Sequence, residues 1–199
     1  MESAVAILLA AGESRRMGRS KALLPWQGVS LLEHQIAALR SGGVDNVVVV
    51  LGHQADKLTT VLEGVEGVTW QINPNYLQGK TTSIKVGVRA LEPDRPDAVL
   101  ILNVDQPRSA ETIRFLLKEH RSGKNLITIP EYRGRGGHPI VLDSALLGEL
   151  LSIDEETLGV KAVVQRNLAL TRRVEMDTPE VLWDLNTPEE YQAALGAGS

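Results

Sequence analysis

Ala4-Val5-Ala6-Ile7-Leu8-Leu9-Ala10-Ala11-Gly12-Glu13-Ser14-Arg15-Arg16-Met17-Gly18-Arg19-Ser20-Lys21 carries the reading of the fold. An unbroken apolar run passes directly into a loop of small, hydroxylated and basic residues. A strand with one wet face would alternate polar and apolar side chains, so a run without alternation is predicted to be buried on both faces. Ala98-Val99-Leu100-Ile101-Leu102-Asn103-Val104 has the same character. Strands of this kind belong to a mostly parallel sheet covered by helices, and an α/β protein in three layers (α/β/α) is the expectation.

Outward from this stretch, β-branched runs alternate with helical patterns. Ala4–Leu9, Asn46–Leu51, Val68–Ile72, Ala98–Leu102 and Leu126–Ile129 are predicted strands, while 31–39, 54–62, 82–91 and 111–120 carry apolar residues at helical spacing. In the first of these helices Leu31, Leu32, Gln35, Ile36 and Leu39 share one face, with Glu33, His34 and Arg40 mostly opposite. Beyond residue 130 the alternation weakens. Arg133-Gly134-Arg135-Gly136-Gly137 is predicted to be a flexible loop or hairpin at the sheet edge, leading to a short strand at 138–142. Helices at 145–151 and 158–167 and a strand at 171–176 follow. No repeat or linker interrupts the pattern, so one domain over residues 1–199 is expected.

Composition removes several function classes. With 199 residues, 43% of them hydrophobic, the chain is long enough for a sizeable core. The absence of cysteine excludes disulfides, thiolate zinc sites and a cysteine nucleophile. A net charge of −4 argues against a nucleic-acid partner, and three Trp, three Tyr and one Phe leave little for base stacking. No apolar stretch approaches a membrane span, and the run at 4–11 lacks the basic flank and cleavage site of a leader, so a cytoplasmic location is expected.

The loop after the first strand lies where open α/β sheets bind ligands, at a strand's carboxyl end. Its small residues would let backbone N–H groups approach a phosphate, with Arg16 and Lys21 supplying charge. Five residues separate Gly12 from Gly18 and Lys21 does not follow Gly18 directly, so the P-loop pattern fails, as does G-x-G-x-x-G. From the residues alone, a surface loop whose glycines only make turns stands equally well. Asp105-Gln106-Pro107 ends the fourth strand: its carboxylate could hold Mg²⁺ beside a nucleotide, or could simply fix the turn while Ser109 caps the next helix. Thr187-Pro188-Glu189-Glu190 reads as a capping box with proline at the first helical position, which leaves Asp184 and Asn186 unexplained. Thr82 and Ser83 can be read as helix-start caps in the same way.

Residues 9–21 match L-A-A-G-x-S-x-R-M-G-x-x-K without a gap and resemble the signature of the MobA-like nucleotidyltransferases, most closely the branch that attaches CMP to molybdopterin. Further matches follow in family order at 73–83 (N-P-x-[WFY]-x-x-G-x-x-[ST]-S), 105–107 (D-[QM]-P), 134–139 (G-x-x-G-H-P), 158–162 and 184–190 (D-[ILV]-[DN]-T-P-E-[DE]). The resemblance implies a Rossmann-like nucleotidyltransferase fold. It places Leu9, Ala10, Ala11, Gly12, Arg16, Gly18 and Lys21 around the triphosphate, and Gly79, Thr82 and Ser83 at the base and sugar. It gives Mg²⁺ to Asp105 and Asn186, with Asp184 acting through them, and puts Asn73 and His138 on the acceptor side. Arg16, Lys21 and Asp105 are the implied catalytic residues.

Ala11, where the guanylyl branch typically has glycine, favours CTP as the nucleotide. The implied acceptor carries a phosphate and is molybdopterin, with a molybdoenzyme as a possible downstream partner. A guanylyltransferase, a cytidylyltransferase for a sugar or polyol phosphate, and a non-catalytic cofactor-binding module are the alternatives. Asn103, Arg108 and Lys80 depart from the family pattern, and Lys80 is open to a phosphate contact or to simple solvation. An attacking phosphate is already ionised near neutral pH, so His138 is expected to orient or bind rather than to act as a base. His34, His53 and His120 are expected at the solvent-exposed surface.

Overall fold

In the computed structural model, residues 2–14, 17–92, 95–156 and 158–197 are described. The first strand, β1 (Ala4–Ala10), is buried at every position, as an uninterrupted apolar run requires. It pairs in parallel with β4 (Asn46–Leu51) on one side and β6 (Ala98–Asn103) on the other, and β4 pairs in parallel with β5 (Val68–Ile72). The chain therefore grows outward from β1 to β5, then returns to lay β6 against the opposite flank of β1. That reversal creates a crevice at the carboxyl ends of β1 and β6, where such sheets bind ligands.

Beyond β6 the sheet continues through β9 (Ile140–Asp143), β7 (Ile127–Tyr132) and β10 (Thr171–Glu175). β9 runs antiparallel to both β6 and β7, whereas β10 is parallel to β7. The two-residue strand β8 (Arg135–Gly136) pairs with the end of β7 across Arg133-Gly134, both at positive φ, as a tight hairpin needs. This corrects the expectation for 133–142. The segment makes a hairpin, but its return strand lies inside the sheet between β7 and β6. Its short apolar stretch did not reveal direction, because periodicity cannot distinguish parallel from antiparallel pairing.

Alternate residues of β1 feed two cores. Ala4, Ala6 and Leu8 pack with α1 (Leu31–Ser41), α2 (Ala55–Leu62) and α4 (Ala110–Arg121). Val5, Ile7 and Leu9 pack with α3 (Lys80–Arg89), α5 (Leu147–Leu151) and α6 (Val160–Arg166). The result is the three-layer α/β/α arrangement, with each buried Ile or Leu contributing about 1.5–3 kcal/mol. α1 buries the predicted face of Leu31, Leu32, Gln35, Ile36 and Leu39, and starts at a capping box between Ser30 and Glu33.

A small hairpin, β2 (Pro25–Trp26) with β3 (Val29–Ser30), was not predicted. It supplies Trp26 to a third cluster with Leu185 and with Tyr191 of α7 (Pro188–Ala197), anchoring the C-terminal helix beside the first loop. His120 also departs from expectation. It is buried, and one ring nitrogen pairs with the Thr128 hydroxyl at 2.9 Å. His34 is half-buried beside Trp26, with ring centroids 5.9 Å apart. Among the described residues, no helix is long and apolar enough to cross a membrane.

Candidate active site

The carboxyl end of β1 opens into a cavity of about 370 Å³, the scale of a small-molecule site. Leu9, Ala10, Ala11 and Gly12 form one wall, and Asn103, Val104 and Asp105, from the end of β6, form another. The loop between them turns back on itself: Lys21 N–H donates to Ser14 Oγ at 3.0 Å, at the start of a short 3-10 turn over Lys21–Leu23. This fold-back aims the Lys21 side chain inward. Its ammonium donates to Asp105 Oδ2 at 2.6 Å and to Asn186 Oδ1 at 2.9 Å.

Three segments far apart in sequence thus converge on one cationic point. The C-terminal segment is held there by the backbone, since Leu185 N–H donates to the Asp105 carbonyl at 2.9 Å. Asn186 and Thr187 N–H both bond Glu190 Oε2, and Glu190 N–H bonds Thr187 Oγ1, so the capping box does form. The cap accounts for Thr187 and Glu190, and leaves Asn186 Oδ1 to face Lys21.

The donor set suits a hard divalent cation. Asp105 Oδ1 is buried and makes no hydrogen bond among the described residues, leaving a carboxylate oxygen with unused capacity. Asn186 adds a neutral oxygen, and Asp184 lies within electrostatic reach of Asp105 and Lys21. Burial, with Asp105 as a like charge, raises Asp184 above the usual carboxylate range. No cluster of three or more His, Cys, Asp or Glu able to hold a metal occurs among the described residues. With two protein oxygens, the remaining ligands of a cation would be phosphate oxygens and water, the pattern of magnesium rather than of a closed protein cage.

The other candidates fall in different places. Ser83 lines the cavity, but its hydroxyl and that of Thr82 each accept from Asn73 Nδ2 at 2.9 Å. Asn73 is buried, and its Oδ1 accepts from Asn75 N–H, so its amide braces the turn before α3. Gly79 caps α3 at φ 117° and Gly18 turns at φ 66°; neither lines the cavity. Arg16 lies outside the described residues. His138 precedes β9, with Nδ1 3.3 Å from Gln106 Nε2, and is pushed down to about 4 by burial and by the charges of Lys80 and Arg108. It is neutral at neutral pH.

Arg108 is the residue whose part in the site was missed. It is fully buried, and its guanidinium donates to the carbonyls of Pro107, His138, Val181 and Trp183 at 2.7–3.1 Å. One side chain therefore ties the Asp105 turn, the His138 segment and the strand of chain leading to Asp184 and Asn186. Tyr76, Ser14 and Ser20 also line the cavity without having been singled out.

A family model described as the MobA-like NTP transferase domain matches residues 6–172. The chain belongs to the MobA-like NTP transferase family. It is an enzyme of the nucleotidyltransferase class. Among relatives, a nicotine blue oxidoreductase of Paenarthrobacter nicotinovorans is 30% identical over 95% of this chain and 95% of that protein. A molybdenum cofactor cytidylyltransferase of Escherichia coli (strain K12) is 27% identical over 94% of this chain and 93% of that one. Among solved structures, a nucleotidyl transferase from Methanothermobacter thermautotroptrophicus is 25% identical and superposes with a TM-score of 0.82, covering 98% of this chain and 97% of that chain.

Proposed function

We propose that this protein, acting as one MobA-like domain in the cytoplasm, is a Mg²⁺-dependent cytidylyltransferase. It moves CMP from CTP onto a small acceptor that bears a phosphate, molybdopterin first among them, and releases pyrophosphate. The observation that carries this reading is the convergence of Lys21, Asp105 and Asn186 at the mouth of the β1–β6 crevice. The similarity to the Escherichia coli molybdenum cofactor cytidylyltransferase supports the acceptor, and Ala11 in the first loop supports CTP.

In the reaction, an oxygen of the acceptor phosphate attacks the α-phosphorus and pyrophosphate leaves. The nucleophile is already ionised, so the protein needs no base, and a neutral His138 is compatible with binding or orienting the acceptor. Gly12, Arg16, Gly18 and Lys21 are assigned to the triphosphate. Lys21 is held next to Asp105, from where its charge can act on the leaving pyrophosphate. Asp105 and Asn186 would hold Mg²⁺, which when bound offsets negative charge on the triphosphate oxygens. Alignment and electrostatic stabilisation then account for catalysis, with no covalent enzyme intermediate.

Pyrophosphate release from CTP, GTP and ATP, each with and without molybdopterin, tests the proposal. The expected result is release that is fastest with CTP and depends on both molybdopterin and Mg²⁺. Preference for GTP would make the protein a guanylyltransferase. Release with a sugar or polyol phosphate but not molybdopterin would change the acceptor, and nucleotide binding without turnover would indicate a non-catalytic module. The oxidoreductase name of one relative adds a further arm: redox turnover with no pyrophosphate release would overturn the proposal.

A further inference from the structure

We propose that Lys80 binds the phosphate of the acceptor and so restricts the enzyme to acceptors that present a phosphomonoester. The inference rests on the nucleotidyltransferase reading above and assigns a residue which that reading leaves without a role. Lys80 is the first residue of α3 and lines the same cavity as Lys21, Asp105 and Asn186. The two lysines are in different circumstances. Lys21 is already engaged by Asp105 and Asn186, whereas the Lys80 ammonium has no hydrogen bond or ion pair with any described residue. It is a cation lining a concave site, with no anionic partner in contact among the described residues.

Lys80 lies toward His138, which the resemblance puts on the acceptor side. Thr81 N–H donates to Glu155 Oε1 at 2.6 Å, tying the first turn of α3 to the segment that leads into Gly159, Val160 and Lys161. His138 responds to the charge of Lys80, together with that of Arg108, so Lys80 stands within electrostatic reach of His138. Desolvation lowers the Lys80 pKa even though Asp105, Asp184 and Glu155 act in the opposite sense. An anionic ligand in contact would relieve that penalty.

The chemistry calls for such a cation. Joining two phosphates brings a negatively charged nucleophile against a negatively charged triphosphate, and the positive charge assigned to the leaving pyrophosphate cannot also hold the nucleophile. A lysine is a compact point charge on a flexible stem, able to follow a phosphate as it closes on the α-phosphorus.

The test uses the full chain with Mg²⁺, the non-hydrolysable α,β-methylene analogue of CTP, and inorganic phosphate as the acceptor probe. Calorimetry measures the affinity for the analogue, and then for phosphate with the analogue bound and without it. Lys80→Met should weaken phosphate binding by about tenfold or more while changing analogue affinity by less than about threefold, and Lys80→Arg should retain most of the phosphate affinity. Loss of analogue affinity with phosphate binding intact would make Lys80 a triphosphate contact, and unchanged affinities would make it a solvated surface residue. Either result, or wild-type protein that binds no phosphate in either state, overturns the inference. Failure of the wild-type protein to bind the analogue would instead overturn the nucleotide reading, and the titration without analogue would still judge Lys80. An unchanged thermal midpoint excludes misfolding as the source of the loss.

Discussion

Arg108, fully buried, and His138, half-buried, show how single polar residues tie the segments of the site together. Arg108 is pushed down to about 9 by burial, with Glu180, Asp184 and Asp105 opposing the shift, so it stays charged near neutral pH while four carbonyls share its guanidinium. Arginine rather than lysine suits the position because a planar fork can serve several acceptors at fixed angles. His138, held by Arg108 through its own carbonyl, has its ring pKa lowered to about 4, first by burial and then by Lys80 and Arg108. The unfolded chain has an ordinary histidine near 6.5 and so binds a proton that the folded protein refuses between pH 6.5 and 4. Stability is therefore present above pH 6.5 and lost as the pH falls through that window, by about 2 kcal/mol on reaching pH 5. Urea unfolding at pH 7 and pH 5 measures the loss, and His138→Gln should reduce it by about that amount. Lys80 and Arg108 show the limit of motif reading: a departure from a pattern marks a position as unusual, but only three-dimensional neighbours tell a hub from a free cation.

At the level of elements, α3 reaches over the cavity because it lies unusually close to β1. A Cβ at Gly87 would collide with the Ile7 side chain, which is completely buried in β1 and has nowhere to move. That approach places Ser83 and Lys80, about one and two turns nearer the start of the helix, at the cavity wall. Gly87→Ala should therefore destabilise the protein by about 1–2 kcal/mol net, despite alanine's better helix propensity, because overpacking outweighs it. It should also weaken nucleotide binding by shifting the first turns of α3. Gly148→Ala in α5, where an added Cβ meets nothing within 4 Å, is the control and should be neutral or slightly stabilising, as denaturant midpoints would show. The elements themselves were largely legible in the sequence. β4 and β5 occur with the expected bounds, and α1, α2 and α4 differ by one or two residues at their ends. α3 begins at Lys80, two residues earlier than the apolar spacing indicated, since its first turn carries no apolar residue to betray it. The antiparallel insertion of β9 and the β2–β3 hairpin were not legible, because strand direction and two-residue pairings depend on contacts distant in sequence.

Across the whole molecule, the order of strands builds the site. β1 stands between β4 and β6, so the loop after β1 and the turn after β6 meet at one crevice, and α7 is anchored close enough for Asn186 to join them. The unbroken apolar run of β1 announced a buried parallel strand; the motif order assigned residues 9–21, 105 and 184–190 to one site, and the structure brings Lys21, Asp105 and Asn186 together. What the sequence could not announce is that Lys21 would bridge Asp105 and Asn186, since residues 21 and 186 are brought together only by the folded chain. The net charge of −4 likewise hides a local concentration of Lys21, Lys80 and Arg108 near the β1–β6 crevice. The most direct test of nucleotidyl transfer at this crevice is the rate of Mg²⁺-dependent pyrophosphate release from CTP and molybdopterin by Asp105→Ala. The backbone bond from Leu185 N–H to the residue 105 carbonyl survives that substitution, so the variant should fold with an unchanged far-UV spectrum. Turnover should fall by about a thousandfold, the scale of losing a principal electrostatic contributor; turnover equal to that of the wild type would contradict the assignment.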